Sequence, residues 1–165
     1  MVTAYLGLGA NLGDREAGIN KALVELIRTG ACRLIRISSL YATEPVGIKE
    51  QPEFLNAVAE IETDMPPLEL LQAIRSVERK TGREKTFKWG PRVIDIDILL
   101  YGDTCLTEES LEIPHPEMHK RAFVLTPLAE IAPQAMHPKL GLTAREMSAE
   151  IGAEGVRKYT PPSEE

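Results

Sequence analysis

Two carboxylates separated by a single residue are the feature of this sequence that most directly suggests chemistry. Asp95 and Asp97 lie in an apolar run, residues 92–100, that has the composition of a β-strand. Because side chains alternate across a strand, both carboxylates should point to the same side. The apolar side chains around them should face the core, and they are Ile94, Ile96, Ile98 and Leu100.

Two neighbouring negative charges repel each other unless a cation lies between them. Mg²⁺ prefers oxygen ligands, keeps several waters and is commonly shared between one or two carboxylates and the phosphates of a substrate. We therefore interpret Asp95 and Asp97 as a site for Mg²⁺ and a polyphosphate. The alternative is the solvated outer face of an amphipathic strand, and the Asp-x-Asp spacing alone does not decide between the two.

A cluster of basic residues directly precedes these carboxylates, although the whole protein carries a net charge of −6. The cluster consists of Arg83, Lys85, Lys88 and Arg92, and Trp89 lies among them. Cations beside metal-bridged phosphates stabilise the charge that develops during phosphoryl transfer. The flanking residues Gly82 and Gly90 favour a loop that closes over a ligand. The alternative is a solvated basic loop in which Trp89 is a core aromatic.

Other phosphate-binding motifs are missing or incomplete. The sequence has no GxxxxGK[ST] segment, which excludes a Walker-type nucleotidase at the motif level. Residues 7–13 nearly match GxGxxG, but the third glycine comes one position late. A proline-stiffened segment at residues 114–123 contains His115, which could contact a phosphate or ribose, or could cap a turn.

The order of strand and helix patterns predicts a ferredoxin-like α+β sandwich. Apolar runs predict strands at residues 2–8, 34–40, 54–61 and 92–101, and helical periodicity predicts one helix after Asn11 or Asp14 and another after Asp64. Strand, helix, strand, strand, helix, strand is the ferredoxin-like order. An antiparallel sheet with both helices on one face would leave its other face free for ligands.

Local signals place the ends of these elements. We expect Asp64 to cap the second helix, whose apolar face should consist of Leu68, Leu71, Ile74 and Val77. Residues 41–52 and the proline-rich stretch after residue 101 should be loops. A last helix should begin at Thr143, where Glu146 completes a capping box.

Composition limits the class of protein. The 165 residues are 43% hydrophobic and 27% charged, which predicts one globular domain, residues 1–159, followed by a frayed tail, residues 160–165. The acidic balance argues against nucleic acid or anionic membranes as partners. No long apolar run or secretory signal pattern is present, and the two cysteines form no metal or disulfide motif, so we expect a monomeric cytoplasmic protein.

Taken together, these segments resemble the 6-hydroxymethyl-7,8-dihydropterin pyrophosphokinases, a family of folate-pathway enzymes. The likeness extends from Ala4 to about Pro133. Its most specific part is residues 88–99, and the supporting parts are residues 7–13, 43–45, 51–56, 78–83, 113–116 and 121–123. The resemblance implies a ferredoxin-like fold and the transfer of pyrophosphate from ATP to the pterin hydroxymethyl group, with release of AMP.

The resemblance also implies roles for individual residues. Asp95 and Asp97 would hold two Mg²⁺ ions, and Arg83 and Arg92 would be catalytic arginines. The implied ATP contacts are Glu78, Lys85, Trp89, His115 and Arg121. The implied pterin contacts are the aromatic pair Phe54 and Phe123, the side chain of Asn56, and backbone groups of Thr43 and Val46.

The sequence departs from the family pattern at a few positions. Ala10 stands where a serine is common, and Ser110 stands where some members have an arginine that binds ATP. Lys85 replaces a second loop arginine, and a lysine cannot offer the bidentate fork of a guanidinium group. Whether Lys85 or Lys88 takes over that role is open.

Two alternatives belong to other functional classes. A ferredoxin-like fold also serves RNA-binding modules, but these display aromatic strands and a basic face that this sequence lacks. A Mg²⁺-dependent nucleotidyltransferase would need its two carboxylates shortly after the glycine turn, whereas Gly9 and Asp95 are far apart. The reaction product distinguishes these alternatives.

Overall fold

The protein is built around one antiparallel sheet. A computed structural model describes residues 1–10, 14–43, 53–81 and 94–160. The strands and α-helices in chain order are β1 Val2–Ala10, α1 Arg15–Arg28, β2 Arg33–Ile37, β3 Tyr41–Thr43, β4 Phe54–Thr63, α2 Pro67–Lys80, β5 Asp95–Tyr101, β6 Leu106–Thr107, β7 Glu112–Ile113, α3 Ala122–Ile131, β8 Met136–His137, β9 Leu142–Thr143, α4 Ala144–Ile151 and β10 Val156–Lys158.

The strand order confirms the ferredoxin-like prediction. The main sheet runs β10-β3-β4-β1-β5, and β2 pairs with the far end of β4, so that β2 and β3 together act as one interrupted strand beside it. All of these pairs are antiparallel. Some details of the prediction were wrong: β2 ends at Ile37 and not at residue 40, residues 41–43 form a strand and not a loop, and the edge strand Val156–Lys158 was not predicted.

Helices α1 and α2 cover one face of the sheet, as the sequence predicts. Asp14 is the N-cap of α1, and its side chain accepts a hydrogen bond from the backbone N–H of Ala17. The buried residues of the two helices pack with Leu6, Ile96 and other side chains of the sheet in one hydrophobic cluster.

The predicted start of α2 was wrong. Its N-cap is Pro66, which makes no side-chain cap, whereas Asp64 forms an ion pair with the terminal amino group. Leu68 is 43% exposed, because the buried face of α2 is displaced from the predicted one. That face consists of Leu70, Ile74, Val77 and Glu78.

Strand β5 contains a bulge that the alternation rule does not reveal. Leu6 pairs with Ile98, but the next residue of β1, Tyr5, pairs with Leu100, which leaves Leu99 as the extra residue. Ile94, Ile96 and Ile98 are buried under α1 and α2 as predicted. Leu100 is also buried, but it belongs to a cluster on the opposite face, so its predicted direction was wrong.

That opposite face is not free over its whole area. Helices α3 and α4 pack on it with Val58, Leu99 and Leu100 in a second hydrophobic cluster. The sequence did not predict α3, because Pro127 lies inside it and removes one backbone donor. Burial of the apolar residues of α3 compensates for that loss. The capping box of Thr143 and Glu146 at α4 is confirmed. In the described ranges, no helix has both the length and the apolar composition needed to cross a bilayer.

Candidate active site

A cavity of about 380 Å³ opens on the second face of the sheet, beside the start of α3. Strands β1, β4 and β5 supply its floor, β3 one side, and the beginning of α3 another. All described residues with a predicted functional role, except Glu78, line this cavity. They are Thr43, Phe54, Asn56, Asp95, Asp97, His115, Arg121 and Phe123.

The acidic end of the cavity is formed by β5. Asp95 lies opposite Gly9 of β1 in the ladder, and Asp97 lies opposite Gly7. Both glycines and both aspartates line the cavity. The side chain of Asp97 is 49% exposed, and that of Asp95 is half-buried.

The donor set at this end suits a hard cation that shares its ligands with a substrate. In the described part of the chain, no group of three or more Asp, Glu, His or Cys side chains could hold a metal ion by itself. Two carboxylates that line one cavity match the incomplete protein coordination of Mg²⁺, which takes its remaining ligands from water and phosphates.

His115 is held in one orientation next to Asp97. Its backbone N–H donates to the carbonyl of Leu99, and its Nδ1 accepts from the backbone N–H of Glu117 at 3.1 Å. The ring proton of neutral His115 is therefore on Nε2, which lies 4.0 Å from Asp97 Oδ2. Burial lowers the pKa of His115, and the nearby Asp97 carboxylate opposes that shift. The ring thus caps a turn and also faces the cavity.

The opposite end of the cavity is lined by aromatic and aliphatic side chains. Phe54 begins β4 and Phe123 lies in the first turn of α3, and Leu99 and Val124 add apolar wall. The guanidinium carbon of Arg121 lies 5.7 Å from the centroid of the Phe123 ring, a cation–π arrangement. This end can enclose a planar ring and places a positive charge at its edge.

One buried amide provides polar recognition at this end. Asn56 is 7% exposed, and its Nδ2 donates to Thr43 Oγ1 at 2.9 Å. A few in-plane polar groups in an otherwise apolar pocket give a flat ligand its orientation.

Glu78 is placed elsewhere. It is fully buried on the α1 and α2 side of the sheet, and its Oε2 accepts a hydrogen bond from the backbone N–H of Ile96 at 3.0 Å. Its Oε1 accepts from Arg75 at 2.7 Å. Glu78 therefore holds the residue between the two aspartates from behind the sheet.

Some candidates fall outside the described residues, and others were missed. Arg83, Lys85, Trp89, Arg92 and Val46 lie in the segments that the structure does not describe. Leu99 had no predicted role, although it continues the alternation of Asp95 and Asp97 and so belongs on the same face. Two glycines of β1, at positions 7 and 9, also had no predicted role, and their positions opposite the aspartates emerge only from strand register.

Comparison with known proteins gives consistent results. Residues 5–133 match the family described as 7,8-dihydro-6-hydroxymethylpterin-pyrophosphokinase. The 2-amino-4-hydroxy-6-hydroxymethyldihydropteridine pyrophosphokinase of Bacillus subtilis is 41% identical over 97% of this chain and 92% of that protein. The enzyme of the same name from Aquifex aeolicus is 46% identical over 84% of this chain and 85% of its own length.

Longer proteins contain a similar region. The folic acid synthesis protein fol1 of Schizosaccharomyces pombe is 43% identical over 95% of this chain but only 21% of its own length. The structure of wild-type Plasmodium falciparum HPPK-DHPS superposes with a TM-score of 0.74 at 17% identity, over 96% of this chain. The present chain spans 47% of that structure's chain, and at this identity the likeness supports the fold alone.

Proposed function

The chain belongs to the 7,8-dihydro-6-hydroxymethylpterin-pyrophosphokinase family, and from this premise we propose that it transfers pyrophosphate from ATP to the hydroxymethyl group of 6-hydroxymethyl-7,8-dihydropterin in folate biosynthesis, releasing AMP. One observation carries the proposal: a single cavity is lined both by aromatic side chains with a buried amide and by a pair of carboxylates. The aromatic and amide side chains suit a pterin ring, and the carboxylates suit a metal-bound polyphosphate.

The pterin end determines where the reacting oxygen lies. Phe54 and Phe123 enclose the ring, and stacking supplies affinity that does not depend on hydrogen bonds to the edge of the ring. Asn56 binds the polar edge of the ring, together with backbone groups of Thr43 and Val46. The hydroxymethyl group is thereby directed toward the aspartates. Holding two reactants in this way makes the reaction effectively unimolecular.

The acidic end binds the triphosphate. Asp95 and Asp97 would hold two Mg²⁺ ions, whose positive charge would offset the negative charge of the phosphates. The pterin hydroxyl oxygen bonds to the β-phosphorus and gives up its proton to water, while the bond between that phosphorus and the oxygen shared with the α-phosphate breaks. AMP leaves with that oxygen.

Positive and hydrogen-bonding groups complete the proposed ATP site. Arg121 and the Nε2–H of His115 face the cavity and would donate to phosphate or ribose oxygens. Arg83 and Arg92 are proposed as catalytic cations, and Lys85 and Trp89 as further ATP contacts. The described hydrogen bonds of Glu78 favour a role in holding β5 over the direct ATP contact that the resemblance implies.

A product assay tests the proposal. The protein is incubated with ATP, Mg²⁺ and the reduced hydroxymethylpterin, and nucleotides are separated in reactions with and without the pterin. We expect AMP that forms only when pterin is present, in equal amount to pyrophosphorylated pterin. ADP would instead indicate single phosphoryl transfer, and released pyrophosphate would indicate a nucleotidyltransferase. The predicted domain limits, the monomeric state and the cytoplasmic location remain predictions.

A further inference from the structure

The amide of Asn56 sits between two features that control its orientation. Strand β4 places Asn56 directly opposite Gly9 on β1 and Tyr41 on β3. Thr43 follows Tyr41 by two residues and is therefore a diagonal neighbour on the same face. Its hydroxyl oxygen accepts the Asn56 Nδ2–H. On the other side, a Cβ added at Gly9 would lie only 3.0 Å from Asn56 Oδ1.

The covalent structure of asparagine does not fix the orientation of its amide group. Rotation about its terminal torsion is broad and roughly two-fold, so neighbours decide where its oxygen and its two N–H groups point. With Nδ2 bound to Thr43 and Oδ1 against Gly9, the amide plane is fixed. One N–H donor and the oxygen acceptor remain for a ligand in the cavity.

Thr43 is itself well anchored. It pairs with Phe54 of β4 on one side and with Val156 of β10 on the other, so its backbone lies inside the sheet. Two residues earlier, the hydroxyl of Tyr41 donates to Glu130 of α3 at 2.7 Å. The Thr43 hydroxyl is therefore a fixed point from which the Asn56 amide is oriented.

We propose that the hydroxyl of Thr43 is a positioning group that orients the Asn56 amide and thereby selects a ring edge presenting both a hydrogen-bond donor and an acceptor. The inference rests on the proposed function, which supplies the pterin as ligand, and it assigns the Thr43 side chain a role separate from its backbone contact. A buried polar group that is held in place rejects a ligand with the wrong edge, because an unpaired donor or acceptor in a closed site is costly.

A matched pair of substitutions at one position tests this inference. Thr43→Val keeps the size and β-branching of the side chain but removes the hydroxyl, whereas Thr43→Ser keeps the hydroxyl. Calorimetric titration gives the Kd of the reduced hydroxymethylpterin and of its 2-oxo analogue, in which the exocyclic amino group is replaced. ATP is titrated separately as a control for the other end of the cavity.

We expect Thr43→Val to raise the pterin Kd about tenfold while the ATP Kd stays within about twofold. The preference for pterin over the 2-oxo analogue should collapse, because a freely rotating amide accepts either edge. Thr43→Ser should retain both the affinity and the preference of the unmodified protein.

A second pair approaches the same amide from its other side. Gly9→Ala should weaken pterin binding, because the new Cβ displaces Asn56 Oδ1. Gly7→Ala should weaken it less, since the nearest atoms to a Cβ there belong to the Leu99 side chain, at 3.4 Å and beyond, and not to the Asn56 amide.

Three outcomes overturn the inference. One is a Thr43→Val variant with unchanged pterin affinity. The second is equal weakening of pterin and the 2-oxo analogue, which indicates mere loosening of β3. The third is a Thr43→Ser variant that binds pterin as weakly as Thr43→Val does. This result would indicate that the methyl group of Thr43, and not its hydroxyl, supports binding. If the unmodified protein does not bind pterin, the proposed function itself fails, and this result is distinct from the other three.

Discussion

Asp97 and its neighbours show how much of the site depends on single side chains. Asp97 is the more exposed of the two aspartates, and Nε2 of His115 lies 4.0 Å from its Oδ2. Its partner strand contributes only a glycine opposite it. A carboxylate placed in this way is available to a cation and is not required for packing.

We predict that Asp97→Asn abolishes most of the activity without unfolding the protein. The amide keeps the shape of the side chain but loses the charge that binds a divalent ion, so kcat should fall by roughly a hundredfold or more. Pterin affinity and thermal stability should remain near those of the unmodified protein. Asp103→Asn, an exposed aspartate just beyond β5, is the matched control and should keep full activity. An Asp97→Asn variant with a normal rate would contradict the metal-binding role.

The sequence predicts much at this scale because strand alternation is a strong rule. The two-residue period by itself places Asp95 with Asp97 on one face of β5, and Phe54 with Asn56 on one face of β4. It cannot predict the hydrogen bond between Thr43 and Asn56, because that contact depends on the register between β3 and β4.

At the scale of elements, β5 is held from two directions. Strand β1 pairs along one edge of it, and Glu78 of α2 accepts the N–H of Ile96 from the hydrophobic cluster behind the sheet. Since Ile96 lies between the two aspartates, this buried carboxylate fixes the backbone of the segment that we propose binds Mg²⁺.

We predict that Glu78→Ala lowers both stability and activity. Removing the carboxylate leaves the buried Ile96 N–H without this acceptor, which should reduce the free energy of unfolding by about 2 kcal/mol. Urea denaturation measures this change, and Gln72→Ala is the control. Gln72 is an exposed residue of α2, so its substitution should leave the free energy of unfolding nearly unchanged. Unchanged stability in Glu78→Ala would show that the hydrogen bond contributes little.

The elements that are hardest to predict from the sequence are those in which local preference and burial disagree. Pro127 is a helix breaker in isolation, yet α3 buries Val124, Leu125 and Leu128 and forms around it. The apolar pair Leu99 and Leu100 is typical of a regular strand that continues, and only the pairing with β1 reveals the bulge. In both cases tertiary burial outweighs the local preference.

At the scale of the whole molecule, a histidine far from the aspartates links stability to pH. His137 is 4% exposed, and its Nδ1 accepts the backbone N–H groups of Lys139 and Leu140. Its ring lies edge-on to that of His119 at 6.1 Å. Burial lowers the pKa of His137 below its ordinary value of 6.5, and the nearby His119 and Lys139 lower it further.

This shift predicts a loss of stability in mild acid. The folded state holds His137 neutral, so near pH 6 the unfolded chain binds more protons and the free energy of unfolding falls as pH drops below about 6.5. The loss stops once pH passes below the folded pKa. Burial also lowers the pKa of His115, which adds to the loss in the same direction.

The substitution His137→Asn isolates the contribution of one ring. Asparagine can still accept the turn N–H groups but does not titrate. Thermal unfolding measured from pH 7.5 to pH 5 should therefore show a smaller decrease in Tm for His137→Asn than for the unmodified protein. Parallel curves for the two proteins would exclude His137 as a source of the pH dependence.

The architecture as a whole was largely predictable, and its second layer was not. The order of strands and helices indicates the ferredoxin-like sheet and the helices on its first face. The capping box predicts α4, but Pro127 hides α3, and no local signal shows that both helices pack on the second face of the sheet.

The bulge in β5 has a consequence for how related chains are aligned. Without Leu99 the ladder between β1 and β5 would run on without interruption, since Leu100 and Tyr101 already pair with successive residues of β1. The inserted residue contributes an apolar wall to the cavity and the carbonyl that anchors His115. Deletion of this one residue would therefore make the strand more regular but would remove part of the cavity wall and the anchor of His115. An alignment gap at this position in a homologue would indicate a changed cavity and not a shortened loop.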